Sequence, residues 1–177
     1  SKQSLRPLKE SAMGWGDSDG DGDIDLVLTG LDRSGNPQSL AYLNNDGLLQ
    51  LDPRSDSALF PLRNGDVALG DYDNDGDLDL FIGESSGDIN FYRNDGGTDG
   101  PEFILVDDKY GGIDAGRRSV PTLVDIDTDG DFDLVVGSEA EGLKLYRNNG
   151  TPREAVFVLD ETFDVAVHPF SAPIFTD

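Results

Sequence analysis

Three segments of the chain repeat one ten-residue pattern: Asp17 to Leu26 reads DSDGDGDIDL, Asp71 to Leu80 reads DYDNDGDLDL, and Asp125 to Leu134 reads DIDTDGDFDL. All share D-x-D-x-D-G-D-x-D-L, and consecutive starts lie 54 residues apart. A fixed period of this length marks a repeated supersecondary unit in which each copy stacks on its neighbours. A second signature follows the last two loops at one offset, Tyr92-Arg-Asn-Asp-Gly96 and Tyr146-Arg-Asn-Asn-Gly150. In the first repeat Tyr42-Leu-Asn-Asn-Asp46 comes four residues later, and the extra residues fall in 31–38.

Within one period, the alternation of Leu78, Leu80 and Ile82 predicts a strand with one buried face. Residues 85–88 turn the chain and 89–92 return it as a hairpin. Residues 103–106 and 156–159 supply a further strand, and 67–69 or 121–124 the one before each acidic loop. The expectation is an all-β chain of β-propeller blades, about four antiparallel strands each, with three full repeats and partial blades at both ends. The boundaries are 1–10 for the end of a preceding blade, then blades at 11–62, 63–116 and 117–170, and 171–177 for the start of another. Residues 171–177 match 119–125, so the last repeat reads as cut off. The chain is expected to be a fragment of a ring, or to complete one with a second copy.

Alternating carboxylates with glycine at the sixth position suit a hard cation that takes six to eight oxygens in flexible geometry, calcium before all others. The expected ligands are side-chain oxygens of Asp17, Asp19, Asp21 and Asp25 with the Asp23 carbonyl. The second loop, 71–79, offers Asp71, Asp73, Asp75 and Asp79 with the Asp77 carbonyl; the third, 125–133, offers Asp125, Asp127, Asp129 and Asp133 with the Asp131 carbonyl. About three Ca²⁺ are expected, one per loop. An EF-hand would need a bidentate acid at the twelfth position, where this chain has Leu28, Ile82 or Val136. Magnesium prefers rigid octahedral sites, and zinc recruits His or Cys.

Composition agrees. Lys and Arg total 13 against 36 Asp and Glu, a formal charge of −23, which repels nucleic acid and anionic membranes. The 22 glycines and 9 prolines favour turns over long helices. Cysteine is absent, which removes disulfides and thiolate chemistry, and no apolar run is long enough for a membrane span.

The acidic pattern followed by Tyr-Arg-Asn-Asn-Gly resembles the FG-GAP/VCBS repeats of integrin-α-like β-propellers, above all the bacterial secreted kind. That resemblance implies a seven- or eight-bladed propeller in the complete protein, one Ca²⁺ per loop, and an extracellular, secreted or cell-surface setting. Gly14-Trp15-Gly16 and Ala68-Leu69-Gly70 stand where the short FG-GAP signature would fall, and Arg-Gly-Asp is absent.

The chain is expected to be noncatalytic. Residues 83–87 match G-x-S-x-G but sit in a hairpin, and the one histidine, His168, precedes a proline in a connection. The repeated acids look alike in every copy, whereas glycoside hydrolysis needs two acids in different environments. Asn149-Gly-Thr151 is a formal glycosylation sequon. Tyr42, Tyr92, Tyr146, Trp15, Phe60, Phe81, Phe103 and Phe132 are expected to pack between blades. The expected role is an adhesion or recognition module with an unidentified protein or glycan partner, met by loops 31–38 and 109–118. The alternatives are an accessory domain of a secreted polysaccharide-active enzyme, or a homodimeric ring.

Overall fold

The computed structural model describes residues 5–163 apart from 98, 140 and 152. The expectations for 1–4, for His168 and for 164–177 lie outside the described residues.

Among the described residues, twelve strands form three four-stranded antiparallel sheets, each in sequential order. The first holds β1 (Lys9–Gly16), β2 (Asp25–Leu31), β3 (Pro37–Asn45) and β4 (Leu48–Leu51). The second holds β5 (Val67–Gly70), β6 (Asp79–Gly83), β7 (Ile89–Asn94) and β8 (Phe103–Asp107). The third holds β9 (Val120–Val124), β10 (Asp133–Ser138), β11 (Gly142–Asn148) and β12 (Phe157–Leu159). One helical turn, α1 (Ser55–Ala58), lies in the first inter-sheet connection, and a 3-10 turn, Tyr110–Gly112, lies in the second. The first strand starts at Lys9, so two residues expected in a preceding blade belong to the first sheet. No helix of the described residues is long and apolar enough to cross a membrane.

The sheets stack through their faces, with β1 against β5 and β5 against β9. Val27 and Ala41 of the first sheet meet Val67, Leu80, Ile82 and Tyr92 of the second. On the opposite side of the second sheet, Phe81, Ile89 and Phe91 meet Leu134, Val136 and Tyr146 of the third. The predicted one-sided alternation in β6 is therefore corrected. Both faces are covered: Leu80 and Ile82 point to one neighbour and Phe81 to the other, and all three are fully buried. Two-sided burial turns the period-2 pattern into a continuous apolar run. Each such side chain contributes roughly 1.5–3 kcal/mol of transfer free energy.

Aromatic packing follows the same plan in part: Tyr92 and Phe103 pack between the first two sheets and Phe81 and Tyr146 between the second and third, whereas Tyr42 packs with its own sheet and Leu8, and Phe132 joins no core cluster. Tyr72, Phe81, Phe91, Tyr110 and Phe157 form one cluster between the second and third sheets. Trp15 and Phe60, expected in the packing, are half exposed instead. The buried tyrosines also use their hydroxyls on the connections: Tyr42 accepts from Arg6 N and Tyr92 from Phe60 N, both at 2.9 Å.

Glycines set how closely the sheets approach. A Cβ on Gly16 would lie 2.5 Å from Leu78 Cδ1, and one on Gly70 would lie 2.6 Å from Leu123 Cδ1. These glycines end β1 and β5, where the next sheet's leucine packs over bare backbone.

Candidate metal centre

Each acidic loop joins the first strand of a sheet to the second, so the stacked sheets bring all three loops to corresponding strand ends. Local bonding folds them alike. The sixth residue's N–H donates to Oδ2 of the first aspartate: Gly22 to Asp17 at 3.0 Å, Gly76 to Asp71 at 3.2 Å, Gly130 to Asp125 at 3.1 Å. The seventh N–H donates to Oδ1 of the fifth aspartate: Asp23 to Asp21 at 2.8 Å, Asp77 to Asp75 at 3.0 Å, and Asp131 to Asp129 at 3.0 Å. The sixth residue has φ of +96°, +103° and +96° in the three loops, a conformation that favours glycine.

This wrapping brings three expected ligands together in each loop. Carboxylate oxygens of Asp17, Asp19 and Asp21 lie within 4.8 Å of one another, as do those of Asp71, Asp73 and Asp75, and of Asp125, Asp127 and Asp129. The other two carboxylates take different places. Asp23 turns its carboxylate to the β3–β4 turn, where it accepts from Asp46 N at 2.7 Å.

The ninth aspartate is a clasp. Asp25, Asp79 and Asp133 are buried, and Oδ1 of each accepts the backbone N–H of Asn44, Asn94 and Asn148 at 2.8 Å. That bond ties the start of the second strand to the end of the third in every sheet. Residue by residue, this gives the Tyr-x-Asn signature its meaning: the tyrosine is buried, and the asparagine closes the clasp. Asn94 reaches further, donating from Nδ2 to Ser18 O of the preceding loop at 2.8 Å. The repeat of Tyr-x-Asn was visible in the sequence; its partner across the sheet was not.

The electrostatics are those of a site short of positive charge. Burial pushes Asp79 up to about 7, with Asp73 and Asp75 adding to the shift. Burial, with Asp25 and Asp21, pushes Asp19 up to about 6. Asp73, Asp77 and Asp133 move upward as well, burial first. The second loop also holds three buried carboxylate oxygens without a hydrogen-bond partner: Asp71 Oδ1, Asp73 Oδ1 and Asp79 Oδ2. Buried acceptors of this kind are costly unless a donor or cation meets them. Clustered hard oxygens with orphaned lone pairs fit a divalent cation of the Ca²⁺ class.

The G-x-S-x-G match lies in the β6–β7 turn, where Gly87 N donates to Glu84 O and no helix follows. Leu28, Ile82 and Val136, at the twelfth position of an EF-hand alignment, are buried strand residues and cannot ligate.

Among curated proteins none matches the chain. The FG-GAP-like repeat profile matches twice, over residues 17–82 and 71–136. Each match runs from one acidic loop through the strand that follows the next, so the two together span all three loops and the stacking between them. By its sequence and by the repeated sheet that it builds, the chain belongs to the FG-GAP-like repeat family.

Proposed function

We propose that this chain is a noncatalytic, calcium-binding segment of a β-propeller, acting outside the cell as a structural or interaction module. The observation that carries the reading is the aspartate triad repeated in three loops, with orphaned buried oxygens in the second. The blades begin at 9, 63 and 117. In each, the first, third and fifth aspartates and the carbonyl of the seventh hold the ion, and the ninth joins them or braces the strand behind them. The ion cancels the repulsion that raises the loop carboxylates and staples the first strand to the second. Extracellular sites of this type have dissociation constants on the order of 10⁻⁴–10⁻³ M, matched to the calcium of that compartment.

Recognition of a protein or glycan falls to the loops that vary between repeats. The 31–38 insertion extends the β2–β3 hairpin around Asp32, which accepts from Ser34 N and Asn36 N at 2.8 Å. The net charge of −23 disfavours nucleic acid. Trp15 and Met13, half exposed on β1, favour cover by a further blade or by a second copy, since Leu69 at the Trp15 position of the next repeat packs over Gly16.

Calorimetric calcium titration of the chelator-stripped chain tests the reading, with light scattering for mass. About three ions bound, with a gain in thermal stability, are expected. Absence of binding at millimolar calcium would reduce the loops to solvated turns.

A further inference from the structure

The three loops share a fold but differ in what meets their carboxylates. In the second loop Asp79 Oδ2 has no partner, in a residue only 1% exposed, and Arg93 on the neighbouring strand turns away to Asp95, with Nη2 at 2.7 Å from Oδ2. In the first loop the same oxygen is met by Ser18. Its N–H and hydroxyl donate to Asp25 Oδ2 at 3.0 and 2.6 Å, and Leu43 stands at the arginine position.

The third loop is met by a cation of the chain itself. Arg147 Nη1 lies 3.2 Å from Asp127 Oδ2 and 3.5 Å from Asp133 Oδ2. Asp127 is one of the three clustered carboxylates of that loop. The same guanidinium donates from Nε to Asp160 Oδ2 at 3.3 Å, so it retains an anionic partner when it leaves the loop.

We infer that Arg147 is a tethered cation that competes with the metal ion for the third acidic loop, making it the weakest of the three sites and the one that tolerates an empty state. The inference rests on the calcium reading of the loops. A divalent ion that takes Asp127 must displace the guanidinium, because a carboxylate oxygen cannot serve both at full strength and the two cations repel. As calcium falls, Arg147 returns to Asp127 and restores part of the lost charge balance. At the second loop Arg153 and Arg93 act on the carboxylates only as nearby charges, without an ion pair, so that loop depends more on its ion. Loading is therefore graded along the chain, second loop before third, from one difference in side-chain aim between Arg93 and Arg147.

The test is calorimetric calcium titration of the whole chain in three forms: unchanged, Arg147→Leu, which installs the residue type of the first repeat, and Arg93→Leu as the control. Three ions with one weaker site are expected for the unchanged chain. Arg147→Leu is expected to tighten that weaker site by roughly two- to fivefold, the range for loss of one partly exposed ion-pair competitor. Arg93→Leu, which removes a charge near Asp73 and Asp79 but no contact with them, is expected to change its site less than Arg147→Leu changes the third. Thermal unfolding supplies a second readout: Arg147→Leu lowers Tm in chelator, and the gap narrows in saturating calcium, where only the Asp160 pair is lost. If calcium binds but Arg147→Leu leaves the weakest site unchanged or weaker, the competition is overturned while the metal reading stands. Absence of binding in all three forms overturns the metal reading itself. Arg147→Gln replaces the leucine variant if the latter loses its β-sheet circular dichroism.

Discussion

Thr128 occupies the fourth position of its loop with φ of +63°, where the other two loops place Gly20 at +70° and Asn74 at +57°. Glycine tolerates this left-handed conformation freely and asparagine readily, but a β-branched side chain is crowded there. The loop holds Thr128 in place because Asp129 N and Gly130 N, the two residues just past it, both donate to Asp125, at 3.2 and 3.1 Å. Thr128→Asn is therefore expected to stabilise the chain by about 1 kcal/mol. For a chain of this size that is a rise in Tm of a few degrees, read by thermal unfolding in calcium. A fall in Tm would show that threonine makes a contact worth more than the strain.

At the scale of the element, the clasp between the ninth aspartate and the asparagine is what makes each sheet a unit. Asp79 is the clearest case, because its carboxyl is buried, bonded to Asn94 N on one oxygen and unmet on the other. Its folded-state pKa of about 7 stands above the ordinary 3.8, so the folded chain retains a proton that the unfolded chain has lost. Between those values the folded state binds more protons, and stability falls as pH rises. Asp19, at about 6, acts in the same direction. In chelator, Tm is expected to decline from about pH 4 to about pH 7 and to level off above. Calcium bound as proposed would favour the charged carboxylates and flatten or reverse the slope. A Tm in chelator that rises across that window would rule out the buried, unneutralised carboxylates.

At the scale of the whole molecule, the sheets are locked by backbone approaching backbone. A Cβ on Gly83 would lie 1.9 Å from Ser119 O, in the segment that leads into β9. That neighbour is main chain and is held by its own bonds: Ser119 N donates to Glu84 O at 3.0 Å, and Ser119 Oγ donates to Asp88 O at 2.6 Å. Gly83→Ala is expected to cost about 3 kcal/mol, the upper end for overpacking, and to loosen the third sheet from the second. Gly97→Ala, where a Cβ meets nothing within 4 Å, is the control and is expected to be near neutral. Because stacked repeats are stabilised mainly by their nearest neighbours, hydrogen exchange should rise in the second and third sheets and not in the first. Equal loss across all three would mean that the stack unfolds as one unit.

The repeat, its period, the hairpin turns and the clustered carboxylates were all legible in the sequence, because each depends on residues close along the chain. Asp71, Asp73 and Asp75 meet whatever the rest of the molecule does, since the loop's own N–H groups wrap them. The roles of Asp79 and Arg147 were not legible. The same nine-residue spacing leaves Asp79 with an unmet oxygen, gives Asp25 a serine hydroxyl and gives Asp133 a guanidinium. Nor did alternation reveal that both faces of β6 are covered, or that Trp15 stays half exposed while Leu69 packs over Gly16. Those outcomes depend on which strand lies alongside and which sheet lies above, and only the stacking of the three sheets decided them.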